Sequence, residues 1–422
     1  MKKQILFFGL FWVCLTTLGQ QPKGLLLHNS SSLSRIDEPI VLSRERVEKY
    51  MGTILTGKIP LVKKLSGEVL PAQTDDLNGD GIWDEFVFLA SFQANEKYRV
   101  VVIWTDTAQL PVFAKRTQAR LARLNAQAFV PLTQETMPEN HKPTDFSTLT
   151  MPLYQTEGPI WENDKVGFRL YFDPRNGKDI FGKTTFEMVL QDVGLPGGNY
   201  HKKNDWGMDI LKVGNSLGAG ALALVFKDSI GQEKLIRLGG KVKQTSCTVI
   251  SNGPIRSILR LTYRGWQTNT NELYDVTEEI RITAGQFAYE SFVTLSGFTG
   301  DRQMAAGIVN LHSQKYLSFN NKKYAYLATH DHQTENQDKL GMAIMVPAAY
   351  CAGFGETPET APGFVEQTYF ARLKATAGKP VSFRFYACWE ASDKRFTEAA
   401  FFENFLKTEI TRLANPIKIS HE

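Results

Sequence analysis

Short runs of β-branched and aromatic residues recur along most of the chain. The segments 86–89, 98–104, 166–172, 186–190 and 381–386 each carry such a run over the length of one strand. Segments 242–250 and 255–263 flank Ser251-Asn252-Gly253-Pro254, and an Asn-Gly pair readily takes the positive φ of a tight hairpin. Segments 274–282 and 287–295 repeat the pattern around Thr283-Ala284-Gly285-Gln286. Strands this short and this evenly punctuated predict antiparallel sandwiches, not βαβ units. Helical periodicity is scarce. Residues 397–413 are the best case, with Thr397 as N-cap, Glu398 in the first turn and Ala400, Phe401, Phe405 and Ile410 on one apolar face. Residues 115–124 suggest a second, weaker helix.

The expected fold class is therefore all-β. A small N-terminal immunoglobulin-like sandwich (33–106) precedes a large antiparallel β-sandwich (158–395), which one C-terminal helix (396–414) closes. Between the two, residues 107–157 read as a linker and loop region, with little periodicity from 125 onward and the run Met137-Pro138-Glu139-Asn140-His141-Lys142-Pro143. No internal repeat is visible.

The first residues predict export. Lys2 and Lys3 form a positive n-region, residues 5–18 an apolar stretch too short to span a bilayer comfortably, and Thr17-Leu18-Gly19 a small-residue cleavage site. A signal peptide over 1–19 would leave a secreted, periplasmic or extracellular chain with no further apolar run suited to membrane insertion. The formal net charge of +4 becomes +2 once Lys2 and Lys3 are removed. A nearly neutral chain without Lys/Arg runs offers no field for nucleic acid. Of four cysteines, Cys14 falls in the signal, leaving Cys247, Cys351 and Cys388. That odd number without C-x-x-C excludes a thiol redox or zinc motif. At most one disulfide can form, with Cys351 and Cys388 the preferred pair and three buried thiols the alternative.

Three motifs invite a chemical reading. Asp76, Asn78, Asp80 and Asp84 follow D-x-N-x-D-G-x-x-D, in which alternate oxygen side chains converge and Gly81 permits the sharp turn. This predicts a structural Ca²⁺ loop; the competing reading is a hairpin of Asx turns without an ion. Gly214-Asn215-Ser216-Leu217-Gly218 matches G-x-S-x-G. The strand-turn-helix context of a nucleophile elbow is missing there, so a glycine-rich turn is the better reading. His330 and His332 share one face of a strand as potential metal ligands. Their polar neighbours favour an exposed loop.

The densest polar and aromatic stretches are 158–183 and 199–217. They place Trp161, Asn163, Arg169, Tyr171, Tyr200, His201, Lys202, Asp205 and Trp206 in two short spans. Indole and phenol rings offer platforms for sugars, and Arg or Lys can hold a carboxylate. Composition alone would equally allow ordinary loops with buried indoles.

The same two stretches resemble a bacterial family of domains of unknown function, family 4861, found in polysaccharide-utilisation loci. The resemblance is carried by Gly-Pro-x-Trp-Glu-Asn-Asp (158–164), Phe-Arg-x-Tyr (168–171), Asp-Ile-Phe-Gly-Lys (179–183), Tyr200-His201, Trp-Gly-Met-Asp (206–209), Leu-Lys-Val-Gly (211–214) and Ser-Leu-Gly-Ala-Gly (216–220). The loop at 76–84 fits as well, so the resemblance spans most of the mature chain. It implies an oligosaccharide dehydratase like the one acting on ulvan fragments, which eliminates water from a terminal uronic acid to leave a 4,5-unsaturated residue. Such chemistry needs a base for H5, an acid for the departing hydroxide and a cation or strong donor on the carboxylate. His201, Tyr200 and Arg169 are the expected catalytic residues, with Trp161, Asn163, Lys202, Asp205 and Trp206 lining the substrate. No organic cofactor is expected, since phosphate-loop, nicotinamide and haem motifs are absent. Two other classes stay open: a glycoside hydrolase pairing Glu162 or Asp164 with Asp205 or Asp209, and a non-catalytic glycan-binding protein.

Overall fold

The structure is a computed structural model that describes residues 24–148, 150–268 and 272–421. The expected signal segment 1–19, with Cys14, lies outside the described residues. Among the described residues no helix is long and apolar enough to cross a membrane. The named strands form five sheets and pair antiparallel throughout. The all-β architecture expected from the short apolar runs is the one observed, and among the described residues the only long helix is the C-terminal one, Ala399–Ala414.

The small N-terminal unit packs a four-stranded sheet, ordered Lys418–His421, Gly24–His28, Lys97–Asp106 and Lys58–Lys64, on a three-stranded one of Arg35–Ser43, Glu85–Phe92 and Ala72–Asp75. Leu25, Leu27, Ile40, Phe86, Phe88 and Val100 fill the space between them. The chain's last strand thus returns to pair with its first described strand. A short helix, Arg44–Met51, closes this unit: the Ser43 hydroxyl accepts from the Arg46 N–H and Gly52 ends it. Asp75 and Glu85 both receive the Arg256 guanidinium, and Val87 and Leu89 pack on Ile255 and Ala284, fastening the small unit to the large one.

In the large unit a nine-stranded sheet shares one continuous apolar core with a six-stranded and a five-stranded sheet. Trp161, Phe168, Tyr263, Tyr289, Met342 and Phe385 lie at its centre. The outer face of the nine-stranded sheet is covered by Ala399–Ala414, through Phe402, Leu406 and Ile410 against Tyr326, Ala343 and Tyr386. Burial of each such side chain contributes about 1.5–3 kcal/mol.

Several local expectations are corrected. Residues 115–124 are not helical: Thr117–Asn125 is a strand hydrogen-bonded on both sides, to Ile160–Asn163 and Ala128–Leu132. Pairing on both edges outweighs the high helical propensity of Ala, Arg and Leu, which is worth less than about 1 kcal/mol per residue. Residues 186–190 form no strand, and Leu190 instead starts a 3₁₀ turn. The C-terminal helix has Glu398, not Thr397, at its N-cap; its buried line is Phe402, Leu406 and Ile410, so Ile410 of the predicted face is buried while Phe401 and Phe405 are half-buried beside it. Cys351 and Cys388 are free thiols. Cys388 faces the C-terminal helix while Cys351 packs on the central core, so the sheets hold them on different layers. Cys247 is deeply buried, and burial pushes its thiol up to about 12.

Candidate active site

The six-stranded sheet runs Gly207–Asp209, Lys178–Lys183, Val166–Leu170, Ile160–Asn163, Thr117–Asn125 and Ala128–Leu132. Its register sets Arg169 directly opposite Asp179 and Phe181 opposite Asp209. Residues opposite one another across a pair share a face. Phe168 therefore enters the core, and Arg169 emerges on the other side with Asp179.

Arg169 is 2 % exposed and almost fully bonded. Its Nε and Nη2 donate to Asp179 Oδ2 at 3.1 and 2.7 Å, and Nη2 also reaches Asp209 Oδ2 at 2.7 Å and the Tyr171 hydroxyl at 3.1 Å. Nη1 donates to the Tyr200 hydroxyl at 3.2 Å and to the Thr156 carbonyl at 3.3 Å. Tyr171 in turn donates to Asp179 at 2.7 Å. The backbone beneath is bent unusually: Thr156 (φ 54°) and Glu157 (φ 65°) are consecutive buried non-glycine residues in the left-handed region. Strain of that kind, about 1–3 kcal/mol per residue, persists only where surrounding contacts hold it. Here Arg169 binds the Thr156 carbonyl, Arg175 binds Glu157 at 2.6 Å, and Gly158 lies so close to the Leu170 carbonyl that any Cβ would collide with it.

Tyr200 and His201 sit in a turn, where strand alternation does not apply, and their ring centroids are 4.3 Å apart. His201 Nδ1 lies 3.4 Å from Asp209 Oδ2, while its side chain remains 59 % exposed. The imidazole thus has one nitrogen toward a buried carboxylate and the opposite one, Nε2, away from it. Loss of solvent, then the nearby Arg169 charge, lowers the His201 pKa below its usual 6.5, so the ring is neutral at pH 7. Burial raises Tyr200, which stays a phenol; it accepts from Arg169 and keeps its own proton to give. Burial and the neighbouring Asp179 push Asp209 well above the usual carboxylate range.

Of the residues expected in the site, the structure brings Arg169, Tyr200 and His201 together around Asp209. It does so in a different way for Arg169. That guanidinium faces carboxylates and phenols of its own protein, so it positions Asp209 and Tyr200 and is not open to clamp a substrate carboxylate. Trp161 is buried in the core against Phe168 and Tyr289, away from solvent. Asn163 is wholly buried, its amide donating to the Thr283 and Gln286 carbonyls at 2.7 Å each. Lys202 and Asp205 are exposed beside His201 in the same loop, and Trp206 is half-buried against Phe181. Sequence reasoning did not assign Asp179 or Glu157 to the site. A charge pair across strands shows only in the register, and the bent 156–157 backbone leaves no compositional trace.

Other candidates resolve into supports. Glu162 is buried, pairs with Lys183 at 2.6 Å and caps the Val189 and Leu190 amides; Asp164 pairs with Arg116 at 2.6 Å and takes the Gly285 amide. Ser216 is buried, donates to the Val213 carbonyl at 2.5 Å, accepts from Gly218 and leads into a strand, as a turn residue does. His330 and His332 bond separately to the Phe396 and Gln337 carbonyls. In the 76–84 loop, Asp76 accepts from Gly79 and Gly81, Asn78 from Asp80, Asp80 from Ile82, and Asp84 from Leu77. The Gly81 amide, foremost, lowers the Asp76 pKa. Among the described residues no three His, Cys, Asp or Glu side chains are gathered closely enough to ligate an ion. The loop oxygens keep spare lone pairs, so an ion would have to draw them together.

These features define a multi-sheet antiparallel β protein with a buried arginine–carboxylate cluster that presents a tyrosine and a histidine. The chain belongs to the family described as "Domain of unknown function (DUF4861)", whose model matches residues 27–419. No curated protein matches it. Among solved structures it is similar to an alpha-mannosidase from Enterococcus faecalis V583 (8 % identity, TM-score 0.44, covering 96 % of this chain and 46 % of that one). A glycosyl hydrolase family 38 protein from Enterococcus faecalis gives 8 % identity and a TM-score of 0.44, over 96 % and 48 %. A putative aldose 1-epimerase from Klebsiella pneumoniae subsp. pneumoniae MGH 78578 gives 12 % and 0.30, over 60 % and 84 %. The chain spans about half the length of the two Enterococcus proteins.

Proposed function

We propose that this protein is an exported carbohydrate-active lyase, a dehydratase acting on a terminal uronic acid of polysaccharide-derived oligosaccharides. The observation that carries the reading is the His201–Asp209–Arg169–Tyr200 chain, a neutral base and a protonated phenol side by side at the surface. In the reaction His201 Nε2 takes H5, the electrons of the C5–H bond form the C4–C5 double bond, and the C4–O bond breaks. Tyr200 gives its proton to the departing oxygen, so water leaves. Asp209 Oδ2, 3.4 Å from Nδ1, orients the imidazole so that Nε2 is the nitrogen left for H5. Lys202, exposed beside His201, is the group assigned to the substrate carboxylate, which must be neutralised for H5 to become acidic.

A glycoside hydrolase is less well supported. Glu162 and Asp164 are tied to Lys183 and Arg116, so neither is free to serve as the paired acid or nucleophile. A purely binding role would call for aromatic rings on an open face, and Trp161 is in the core.

The direct test is incubation with a panel of uronate oligosaccharides, following the ultraviolet absorbance of the unsaturated product. A rise with uronate-terminated substrates supports the reading, and reducing ends without that absorbance would replace it with hydrolysis. The pH profile is a second check. Protonated His201 cannot accept H5, so kcat/KM should fall on the acid side with a midpoint below 6.5, because the ring's pKa is lowered. An acid limb centred above 6.5 would exclude this imidazole as the base.

The 76–84 loop is assigned a structural Ca²⁺ on its spacing. If it holds the ion, chelator lowers Tm, and Asp80→Ala removes that sensitivity; saturation at ~100 times Kd corresponds to roughly 2.7 kcal/mol. A wild-type Tm indifferent to chelator leaves the Asx-turn hairpin as the whole account.

A further inference from the structure

Away from the His201 group, a cleft of about 440 Å³ lies beside the edge strand Glu233–Arg237, the turn that follows it and the 362–366 loop. None of Arg169, Tyr200, His201 or Asp209 lines it. Arg237 does, and its setting is unusual for this molecule. The largely covered Arg35, Arg169, Arg256, Arg384 and Arg412 each meet a carboxylate. Arg237 has none within ion-pair distance among the described residues: Nη1 donates to the Arg175 carbonyl at 3.0 Å and Nη2 to the Asn215 carbonyl at 2.6 Å. A guanidinium has five N–H donors, so three are left over.

The charges that face it do not cancel it. Asp173, the acidic group acting on it through space, is already gripped by Arg175. Glu366, which also lines the cleft, is occupied by the Ala361 amide at 2.7 Å and the Asn215 side chain at 3.2 Å. Lys241 lines the same cleft, is exposed and forms no ion pair among the described residues. Burial without a counter-ion lowers the Arg237 pKa to about 10, the mark of a cation lacking its anion. One wall is apolar, made by Phe364, packed on Phe226.

We propose that this cleft is a second binding site, for the carboxylate of an acidic saccharide. Arg237 holds the carboxylate by its spare donors, Lys241 meets it at the rim, and Phe364 takes the sugar ring. A planar guanidinium matches a carboxylate with two parallel hydrogen bonds, and an aromatic wall suits the apolar face of a pyranose. The assignment does not rest on the elimination chemistry, since it uses none of those residues.

The test is calorimetric titration of the full chain with sodium glucuronate, with glucose and sodium sulfate at matched ionic strength as comparisons. Glucuronate should bind saturably and glucose at least tenfold more weakly. Arg237→Met should weaken glucuronate binding by roughly 10- to 100-fold, the range for losing hydrogen bonds to a charged group. Because Arg237→Met could perturb folding, Lys241→Glu, at an exposed position, is the second variant and should also weaken binding. His201→Ala should leave this binding unchanged, which separates it from binding at the proposed catalytic group. Glucuronate binding that neither cleft variant alters, or no binding at all, overturns the proposal. Equal binding of sulfate reduces the cleft to a general anion site and overturns the saccharide assignment.

Discussion

Arg169→Leu is expected to destabilise the protein by about 3–5 kcal/mol, the range for removing one partner of a buried ion pair. The guanidinium is 2 % exposed and faces Asp179 and Asp209, which are 1 % and 3 % exposed. Without it two carboxylates remain together out of water, and Thr156 and Tyr200 lose the donor they share. Set against a total of 5–15 kcal/mol for ordinary proteins, such a loss threatens folding itself. Arg169→Lys should recover only part of it, because an ammonium cannot fork to both carboxylates, a phenol and a carbonyl at once. The leucine variant should also respond to acid in a distinctive way. Asp209 already has its pKa raised by burial and Asp179, so the folded state retains protons that the unfolded state has released. Stability of the variant should therefore rise as pH falls toward the usual carboxylate range, narrowing its deficit. Urea denaturation at two pH values measures this. A loss under about 1 kcal/mol would mean the cluster relaxes or admits water, and Arg169 would not be its keystone.

His201→Ala should behave in the opposite manner, lowering activity by on the order of a hundredfold or more while leaving stability nearly unchanged. The side chain is 59 % exposed and meets Tyr200 and Asp209 from the outside, so truncation removes little packing. What it removes is the imidazole that Asp209 orients. Activity of the variant within a few-fold of wild type would dismiss His201 as the base, and a large fall in Tm would mark it as structural. The two substitutions thus separate the residue that presents the chemistry from the residue that holds the presenter in place.

The all-β character was legible because alternating β-branched and aromatic runs report local geometry, and the hairpins around Asn252-Gly253 and Ala284-Gly285 fell where turn chemistry places them. Arg169, Tyr200 and His201 stood out as a concentration of guanidinium, phenol and imidazole, and the structure does bring them together. Direction was not legible. The motif 158–164 reads like a sugar-binding segment, yet Trp161, Glu162 and Asn163 are buried, the first in the core and the others satisfying lysine and backbone groups. Composition does not distinguish a polar residue exposed to substrate from one saturating a buried partner.

By itself, then, the sequence determined the strand-rich class, the C-terminal helix and the residue types available for chemistry, since each depends on neighbours a few positions apart. Tertiary structure alone decided that Lys418–His421 joins the first described strand and that 117–125 becomes a strand between two others. It also decided that Asp179 and Asp209 surround Arg169, and that Arg237 meets backbone carbonyls and, among the described residues, no carboxylate. The physical reason is common to all four. Sheet pairing and charge compensation join residues separated by up to nearly four hundred positions, and their energies depend on register and burial, which no local pattern encodes.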